Sequence, residues 1–514
     1  MNGAQSLIQT LVACGVDVCF MNPGTSEMHF VAALDAVPQL RSVLVLFEGV
    51  ATGAADGYAR MADKPAATLL HLGPGLTNGL ANVHNARRAW TPMVNIVGDH
   101  ATYHKVFDAP LNSDVDGLAK PMTDWLRTST TPGAVASDVA AAVAAALTPP
   151  GKIATLVLPA DVSWGQAVSA ATPVAVPARA KATDATVGTV AQALRSGEKA
   201  VLLLNGQALR ERGLVAATRV GQKTGARVMC DTFTNRTQRG AGLPAVQRLN
   251  YFAELAADDL KDTRHLVLVG TRPPAAFFAY PGKPSNLVPE GCTVHVLASP
   301  ADDAIEALEH LAEAVGAPKD AYTVESSRRP DKPKGKLDSA AVGAAIGALL
   351  PEHAIVVDEG NTEGIFTPLH TVGAPAHDWL YNTGGSIGLG LPLATGAAVA
   401  CPGRKVICLE GDGSAMYTIQ ALWTMARERL DVTTVIFANR SYKILNIELA
   451  RVGAATVGAR AKDMLDISRP NLDFVAMANS MGVDACRPET AEAFCQAFER
   501  ALREPGPHLI ECIV

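Results

Sequence analysis

The chain has 514 residues, of which 48% are hydrophobic and 18% are charged, and its formal net charge at neutral pH is −6. This length is too great for one hydrophobic core and suits about three domains. The acidic balance, without a clustered Lys/Arg run, argues against a nucleic-acid-binding surface. No stretch reaches the roughly 18 apolar, uncharged residues that a membrane-spanning helix needs.

The N-terminal segment MNGAQSLIQTLVACGVDVCF lacks a basic leader region and contains Asp17, so it predicts a first helix and strand of the folded domain. The nine cysteines show no CxxC spacing, and several, such as Cys19 and Cys408, lie within apolar runs. This distribution is typical of reduced cysteines in a hydrophobic core. We therefore expect a cytoplasmic protein.

Short apolar runs alternate with helical segments, a pattern that predicts parallel β-sheets with helices on both faces. The first third contains VDVCF, SVLVLF, AATLLHL, MVNIVG and IATLVL; the middle contains AVLLLNG, ARVMCD, HLVLVG and TVHVLA; the last third contains AIVVDEG, DWLYNT, KVICLEG, VTTVIFANR and HLIECIV. The segments ATPVAVPARAKATDAT and VESSRRPDKPKGKLDS have the composition of linkers. We predict an α/β protein with three doubly wound parallel-sheet domains at residues 1–170, 186–325 and 338–514.

Polar residues that follow strands are the first candidates for a site, because ligands of open α/β sheets bind beyond the carboxyl ends of the strands. Glu48 follows SVLVLF and begins the helical segment EGVATGAADGYARM, and His71 is the next-to-last residue of the run AATLLHL. Each also has a plain structural explanation. A glutamate in a first helical turn is favoured by the helix dipole, and a histidine at a buried strand end can be a satisfied core residue.

A second candidate site lies in the last third. Asp412, between two glycines, follows KVICLE, and Asn439 follows VTTVIFA 27 positions later, about the length of a helix plus a strand. This spacing can bring both side chains to one edge of a parallel sheet. A carboxylate, an amide oxygen and a main-chain carbonyl, here that of Ser441, suit a hard divalent cation. The glycines and the helix opening near Ser414 can hold an anion; a strand-to-helix turn and an unrelated asparagine are the structural alternative.

The segment GDGSAMYTIQALW, together with FANRSY, resembles the thiamin diphosphate motif of the enzyme family that includes acetolactate synthase, pyruvate decarboxylase and benzoylformate decarboxylase. The chain has Ala438 where the first Asn of a frequent pair stands, but it keeps Asn439. The resemblance runs along the whole chain and implies pyrimidine-binding, central and diphosphate-binding domains, in that order. It also implies thiamin diphosphate and Mg²⁺ as cofactors, with Asp412, Asn439 and Ser441 as the metal site.

The same resemblance implies the roles of further residues. Glu48 corresponds to the glutamate that hydrogen-bonds N1′ of the aminopyrimidine and promotes its imino tautomer. In the run GGSIG, Ile387 corresponds to the apolar support that bends the cofactor, and the Gly385 carbonyl to the acceptor of the 4′-amino group. The remaining implied cofactor contacts are Gly411, Gly413, Ser414, Asn361 and Thr362, although the last two are also explained as helix caps.

The loop NPGTSE is similar to that of benzoylformate decarboxylase, with Thr25 at the place of its substrate-binding serine and His71 at its first catalytic histidine. Acetolactate synthases carry Phe-Gln where this chain has Pro110-Leu111. The apolar Leu111 favours a pocket for a larger or less polar acyl group. The second histidine of the decarboxylase is replaced by phenylalanine in PPAAFFAYPG, near Phe277, which leaves the protonation half of its cycle open.

The roles of His100 and His104 in GDHATYH are also open. They follow the strand MVNIV at the rim of the same site, and they are not the paired histidines of pyruvate decarboxylase. Flavin is unsupported but not excluded, since the central domain has no GxGxxG loop and NGQALRERG is a weak substitute.

The resemblance implies a 2-oxoacid substrate. Our first expectation is non-oxidative decarboxylation through an enamine intermediate. The alternatives are an acetolactate-synthase-like carboligase, which joins the decarboxylated acyl unit to a second carbonyl compound, and a non-catalytic relative that binds thiamin diphosphate. The resemblance also implies a homodimer as the minimum unit, with the active site at the subunit interface, and usually a homotetramer.

Overall fold

The computed structural model describes residues 1–452 and 458–514, and it contains three β-sheets of six, five and seven strands. Within these described residues, every pairing between strands of the three sheets is parallel except one, at the edge of the third sheet. Three doubly wound α/β domains are therefore present, as the alternating apolar runs predict. Among the described residues, no helix combines the length and the apolar character needed to cross a bilayer.

The first sheet has the strand order β2-β1-β3-β4-β6-β5. Its strands are β1 (Val18–Met21), β2 (Arg41–Leu44), β3 (Ala66–Leu70), β4 (Met93–Asp99), β5 (Trp125–Thr128) and β6 (Ile153–Pro159). The helices of this region are α1 (Gly3–Ala13), α2 (Met28–Ala33), α3 (Glu48–Ala62), α4 (Leu72–Arg88), α5 (Val115–Ala119), α6 (Val135–Leu147) and α7 (Ala160–Trp164). The central strands β3, β4 and β6 are buried along their whole length because helices cover both faces.

The second sheet has the order β10-β8-β7-β11-β12. In chain order, this region contains β7 (Ala200–Leu204), β8 (Arg227–Cys230), β9 (Thr237–Arg239), β10 (Gln247–Arg248), β11 (His265–Val269) and β12 (Thr293–Ala298). Its helices are α8 (Asp184–Leu194), α9 (Glu211–Thr224), α10 (Ala253–Asp259) and α11 (Ala304–Ala314). Strand β9 is not part of the second sheet. It pairs antiparallel with a strand of the third sheet, where Thr237 lies opposite Trp379.

The third sheet has the order β17-β18-β16-β15-β13-β14-β9. Its other strands are β13 (Ile355–Glu359), β14 (His377–Tyr381), β15 (Val406–Gly411), β16 (Val432–Ala438), β17 (Asp484–Cys486) and β18 (His508–Ile513). The helices are α12 (Ser339–Leu349), α13 (Asn361–Gly364), α14 (Thr367–His370), α15 (Gly390–Ala400), α16 (Asp412–Thr418), α17 (Ala421–Arg427), α18 (Lys443–Arg451), α19 (Ala459–Asp463), α20 (Phe474–Ser480) and α21 (Ala491–Arg503).

Helices α3 and α15 join the first and third domains into one hydrophobic core. Small residues allow their backbones to approach closely. A Cβ atom on Gly57 would lie 2.0 Å from the carbonyl oxygen of Leu393, and one on Gly396 would lie 1.8 Å from that of Ala54. Larger side chains at these two positions would separate the helices, so this packing fixes the sheet edges of the two domains relative to each other.

Candidate active site

The first cluster of polar side chains lies at the carboxyl edge of the first sheet. Glu48 is the first residue of α3 and is 6% exposed. Its two carboxylate oxygens accept hydrogen bonds from Asn22 Nδ2 at 3.1 Å and from Asn78 Nδ2 at 3.0 Å. Two neutral donors thus orient a buried carboxylate without neutralising it. Neither asparagine was among the sequence candidates.

His71 lies beside this cluster, at the point where β3 ends and α4 begins. Its Nδ1 is 2.7 Å from Glu27 Oε2 and 3.3 Å from Ser26 Oγ. Glu27 is 3% exposed and also accepts the amide hydrogen of Gly24. The imidazole is therefore held through one nitrogen, which leaves Nε2 for another partner. Glu27 was not among the residues predicted from the sequence, although it belongs to the NPGTSE loop, two residues after Thr25.

Two further candidates of the first domain lie at the surface. Thr25 begins a 3₁₀ turn at Thr25–Glu27 and is exposed, and Leu111 is 39% exposed in the segment that precedes α5. Within the described residues, the Thr25 side chain forms no hydrogen bond. Both side chains are accessible to a ligand or to another chain.

The second cluster lies at the carboxyl edge of the third sheet. Asp412 is 4% exposed, and its oxygens accept the amide hydrogens of Gly413 at 2.8 Å and Arg440 at 2.6 Å. Burial raises the pKa of Asp412, and no cationic side chain is among the groups that offset this effect. Asn439 Oδ1 accepts the amide hydrogen of Ser441 at 3.0 Å, and the Ser441 carbonyl accepts that of Lys443 at 2.8 Å. The structure therefore brings the three predicted metal ligands to one sheet edge.

The predicted diphosphate contacts lie at the same edge. Asn361 has a left-handed backbone (φ +50°), and its Nδ2 donates to Ser414 Oγ at 2.9 Å. A Cβ atom on Gly411 would lie 3.1 Å from that Nδ2, and one on Gly413 would lie 2.5 Å from the ring of Tyr442. Thr362 is half-buried on the same short helix, α13. The glycines thus allow side chains to close around the start of α16.

One acidic residue of the second cluster was missed. Glu363 Oε1 accepts hydrogen bonds from Asn439 Nδ2 at 3.2 Å and Lys443 Nζ at 2.5 Å, and Oε2 accepts one from Ser339 Oγ. These bonds turn the Asn439 amide so that its oxygen faces away from Glu363. The Lys443 side chain is 52% exposed, but its Nζ is paired with Glu363.

A glycine-rich loop, residues 384–388, lies directly before α15. Gly385 has a left-handed backbone (φ +77°), and a Cβ atom there would lie 2.5 Å from the ring of Phe277. Ile387 is half-buried in this loop. From the first domain, Asn85 Nδ2 donates to the Ser386 carbonyl at 2.8 Å, and His84 Nε2 donates to the Gly384 carbonyl at 3.1 Å. The loop is therefore held by the first domain and covered by the second.

Phe277 belongs to an aromatic group of the second domain. Its ring centroid is 4.7 Å from that of Phe278, 5.2 Å from that of Phe233 and 5.5 Å from that of Tyr251. Phe277 and Phe278 are 39% and 52% exposed. An apolar wall thus stands directly beside the glycine-rich loop. We call these four residues the aromatic wall.

The histidines of GDHATYH lie after β4, at the same edge of the first sheet as His71. The rings of His100 and His104 are 5.4 Å apart, and His100 Nε2 is buried without a hydrogen-bond partner in the described part of the chain. Asp99 pairs with Lys105, and Asp114 caps α5 by accepting from the Gly117 amide. The last two are therefore explained by local structure.

The two clusters fit thiamin diphosphate and a divalent cation. A buried carboxylate without a cationic partner, a fixed amide oxygen and a glycine-lined helix start supply the oxygen ligands and N–H donors that a metal-bound diphosphate needs. Glu48 supplies an oriented carboxylate of the type that an aminopyrimidine nitrogen requires.

The sheet edge of the central domain has a narrow crevice. This crevice lies at the carboxyl ends of β7 and β11, is flanked by Gly206 and Gly270, and has a cavity of about 40 Å³. Arg179 lies across it and donates to the carbonyls of Pro300 and Pro150.

The fold and the two clusters define a class of α/β proteins whose ligand sites lie at the sheet edges of two similar domains. Comparison with known proteins identifies the family. The model described as "Thiamine pyrophosphate enzyme, N-terminal TPP binding domain" matches residues 1–119, and that described as "Thiamine pyrophosphate enzyme, C-terminal TPP binding domain" matches residues 358–512. This chain belongs to the thiamine pyrophosphate-dependent enzymes, and thiamin diphosphate is the cofactor that these domains indicate.

Three similar proteins span almost the whole chain. The Mycobacterium tuberculosis (strain ATCC 25618 / H37Rv) protein named "Putative acetolactate synthase large subunit IlvX" is 60% identical, covering 100% of this chain and 99% of the relative. Benzoylformate decarboxylase of Pseudomonas aeruginosa is 28% identical over 97% of this chain and 96% of its own. The structure of the thiamine diphosphate-dependent 4-hydroxybenzoylformate decarboxylase of Rhodococcus jostii RHA1 has a TM-score of 0.88 at 25% identity, covering 100% of this chain and 99% of its own.

Proposed function

We propose that this protein catalyses the thiamin diphosphate- and Mg²⁺-dependent, non-oxidative decarboxylation of an aromatic or branched 2-oxoacid. The observation that carries the proposal is the pairing of His71 with buried Glu27 at the sheet edge that also holds Glu48. An activating carboxylate and a positioned imidazole are the acid and base groups that such a reaction needs. The names of the benzoylformate and 4-hydroxybenzoylformate decarboxylases support the substrate class.

The cofactor, when bound, supplies a nucleophilic carbon and an electron sink for the departing carbon dioxide. The protein's part is to position groups and move protons. Glu48, fixed by Asn22 and Asn78, would share a proton with the aminopyrimidine nitrogen N1′. Asp412, Asn439 and the Ser441 carbonyl would hold the magnesium ion, and Ser414 and Asn361 the diphosphate.

His71 would move a proton at its Nε2, because Glu27 and Ser26 engage Nδ1. Thr25, in the same loop, would bind the substrate carboxylate. A carboxylate that accepts from Nδ1–H fixes the tautomer and the orientation of the imidazole ring. His71, oriented by Glu27, would thus add a proton to the substrate or remove one from it.

The aromatic wall supports an apolar acyl group. Phe277 contacts the glycine-rich loop through Gly385 and leaves part of its ring exposed, and Leu111 presents a further apolar surface. Aromatic and aliphatic side chains favour a phenyl or branched group by burying apolar area.

The second candidate function is carboligation, in which a second carbonyl compound captures the acyl unit in place of a proton. The name of the M. tuberculosis relative favours it. Phe277 also favours it, because a phenyl ring in place of the second histidine cannot donate a proton.

We also propose a homodimer as the minimum active unit, with two such dimers forming a tetramer in the cytoplasm. The family resemblance is the main reason. Exposed apolar side chains near both clusters support it: Leu46 precedes Glu48 by two positions, and Ile365, Leu369 and Tyr417 lie close in sequence to α13 and Asp412. Sedimentation velocity with and without cofactor tests the assembly.

The proposed function is tested by a product screen of the purified protein with thiamin diphosphate and Mg²⁺. Benzoylformate, branched 2-oxoacids and pyruvate are each supplied with and without an acceptor aldehyde. We expect benzaldehyde and carbon dioxide from benzoylformate, and no activity when the cofactor is omitted. Acetolactate from pyruvate, or a hydroxyketone as the main product, would establish the carboligase instead.

A further inference from the structure

A buried carboxylate holds the glycine-rich loop from the side of the third sheet. Glu359, the last residue of β13, is 3% exposed. Its Oε1 accepts hydrogen bonds from Asn382 Nδ2 at 2.8 Å and from the Gly388 amide at 3.2 Å, and its Oε2 accepts one from the Gly390 amide at 2.6 Å. One side chain therefore binds the two glycine amides that follow Ile387.

Asn382 holds the other half of the loop. Its Oδ1 accepts the amide hydrogens of Gly384 at 3.2 Å and Gly385 at 2.9 Å, and its Nδ2 donates to the Ser386 carbonyl at 2.7 Å as well as to Glu359. The loop is thus fixed on both sides of Ile387. We call Glu359 and Asn382 the loop bracket.

The hydrogen-bond donors around Glu359 favour a side chain with two accepting oxygens at this position. Gly390 is the first residue of α15, so its amide and the helix dipole both favour a negative group at Glu359. A Cβ atom on Gly390 would lie 3.0 Å from the Glu359 Cβ atom and 2.1 Å from Glu410 Oε2. Only glycine therefore allows this close approach. A glutamine at position 359 would turn an N–H₂ group towards one of the three donors.

A second carboxyl group provides a natural comparison. Glu410 lies directly opposite Glu359 in the parallel pairing of β15 with β13 and is fully buried. It contacts the same Gly390, but it accepts no hydrogen bond from residues 384–390 in the described structure, and its Oε1 has no partner. Glu410 also lies within hydrogen-bonding reach of the Glu359 carboxyl group. The two groups therefore form a buried pair, of which only Glu359 is bonded to the loop.

We propose that Glu359 is a positioning residue for the cofactor site. Through Asn382 and the amides of Gly388 and Gly390, it sets where Ile387 stands and where the Gly385 carbonyl points. This inference rests on the proposed function, because it takes the loop to be the one that supports the bent cofactor. The three accepted hydrogen bonds offset part of the cost of burying the carboxyl group; burial still raises the pKa of Glu359.

The test compares Glu359→Gln with Glu410→Gln, which makes the same chemical change in the neighbouring carboxyl group. The first measurement is amide hydrogen exchange of residues 384–390 in the cofactor-free protein. We expect about tenfold or faster exchange at this loop in Glu359→Gln only, because its protecting bonds are weakened. The second is isothermal titration with thiamin diphosphate in Mg²⁺, where we expect Glu359→Gln to bind roughly 10-fold or more weakly, the usual scale for residues that orient a ligand's contacts.

Activity supplies a third, independent comparison. On the substrate found in the product screen, we expect kcat of Glu359→Gln to fall about 10-fold or more with KM changed less than about threefold, because the residue does not touch substrate. Asn382→Asp removes the donor to Glu359 and to Ser386, so it should reproduce the exchange result even if Glu359→Gln fails to fold.

Unchanged exchange and unchanged cofactor affinity in Glu359→Gln and Asn382→Asp would overturn the inference. Equal losses in Glu410→Gln would also overturn it, since they would trace the effect to the buried carboxyl pair and not to the bracket. If the wild-type protein fails to bind thiamin diphosphate, the proposed function itself is wrong, and this result is separate from the exchange measurement.

Discussion

Glu27 and His71 are joined by a 2.7 Å contact between a buried carboxylate oxygen and the imidazole Nδ1. The contact crosses from the loop after β1 to the end of β3, so it depends on the pairing of these two strands. The sequence alone leaves the role of this histidine open. In the structure, its Nδ1 is held by Glu27 and its Nε2 is available to another partner.

Replacing Glu27 by Gln should lower kcat for decarboxylation by about 10- to 100-fold, because the imidazole loses the carboxylate that orients it through Nδ1. Steady-state kinetics on the substrate from the product screen measures the effect. Asp35→Asn, a change at an unburied acidic residue of the same region, is the matched control and should leave kcat within about twofold. Normal turnover in Glu27→Gln would remove the positioned-histidine mechanism.

Gly24 tests the same arrangement by sterics. A Cβ atom there would lie 2.1 Å from His71 Nδ1, so Gly24→Ala should displace the ring and lower kcat to the level of His71→Ala. Because both changes act through one side chain, the double variant should be no worse than either single variant. Gly133→Ala, at a glycine with nothing within 4 Å of the added atom, serves as the control. Additive losses would show that Gly24 acts elsewhere.

Glu48→Gln should reduce turnover by about 10²-fold or more, since an amide cannot share a proton with the aminopyrimidine. The cofactor's other contacts remain, so its affinity should change little. Kinetics and isothermal titration separate the two effects. A variant that keeps its activity would show that Glu48 is not the activating acid.

Asp412→Ala should abolish the Mg²⁺ dependence of cofactor retention, because the proposed metal site loses its only carboxylate ligand. Titration of thiamin diphosphate at increasing Mg²⁺ measures this loss. Asp184→Ala, at a side chain that is 98% exposed, should behave as wild type. Full, metal-dependent affinity in Asp412→Ala would place the cation elsewhere.

Phe277→His tests the choice between the two candidate reactions. If the missing proton donor favours capture by a second carbonyl compound, a histidine here should raise the ratio of free aldehyde to ligated product by about tenfold. Phe278→His, at the neighbouring residue of the aromatic wall, is the control. It shows whether the product ratio depends on an imidazole at position 277 or on an imidazole anywhere in the wall. An unchanged ratio in both variants would show that the aromatic wall does not determine which product forms.

The repeated apolar runs were sufficient to predict three parallel-sheet domains, because buried parallel strands must be continuously hydrophobic. Strands β5, β9, β10 and β17 escaped prediction. They are short and partly exposed, as in WLRT of β5, and their pairing depends on neighbours distant in the chain. The destination of β9 in the third sheet, opposite Trp379, could not be inferred from local sequence at all.

The candidate site also has one part that the sequence predicts and another that depends on the tertiary structure. The sequence by itself determined the residues next to strand ends, such as Glu48, His71, Asp412 and Asn439, because strand direction places them at a common edge. Only the tertiary structure decided their partners: Glu27 beside His71, Glu363 beside Asn439, and Glu359 beneath the loop of Ile387. These partners come from other strands or from helices that follow them, and hydrogen bonds between distant segments leave no periodic or local signal in a single sequence.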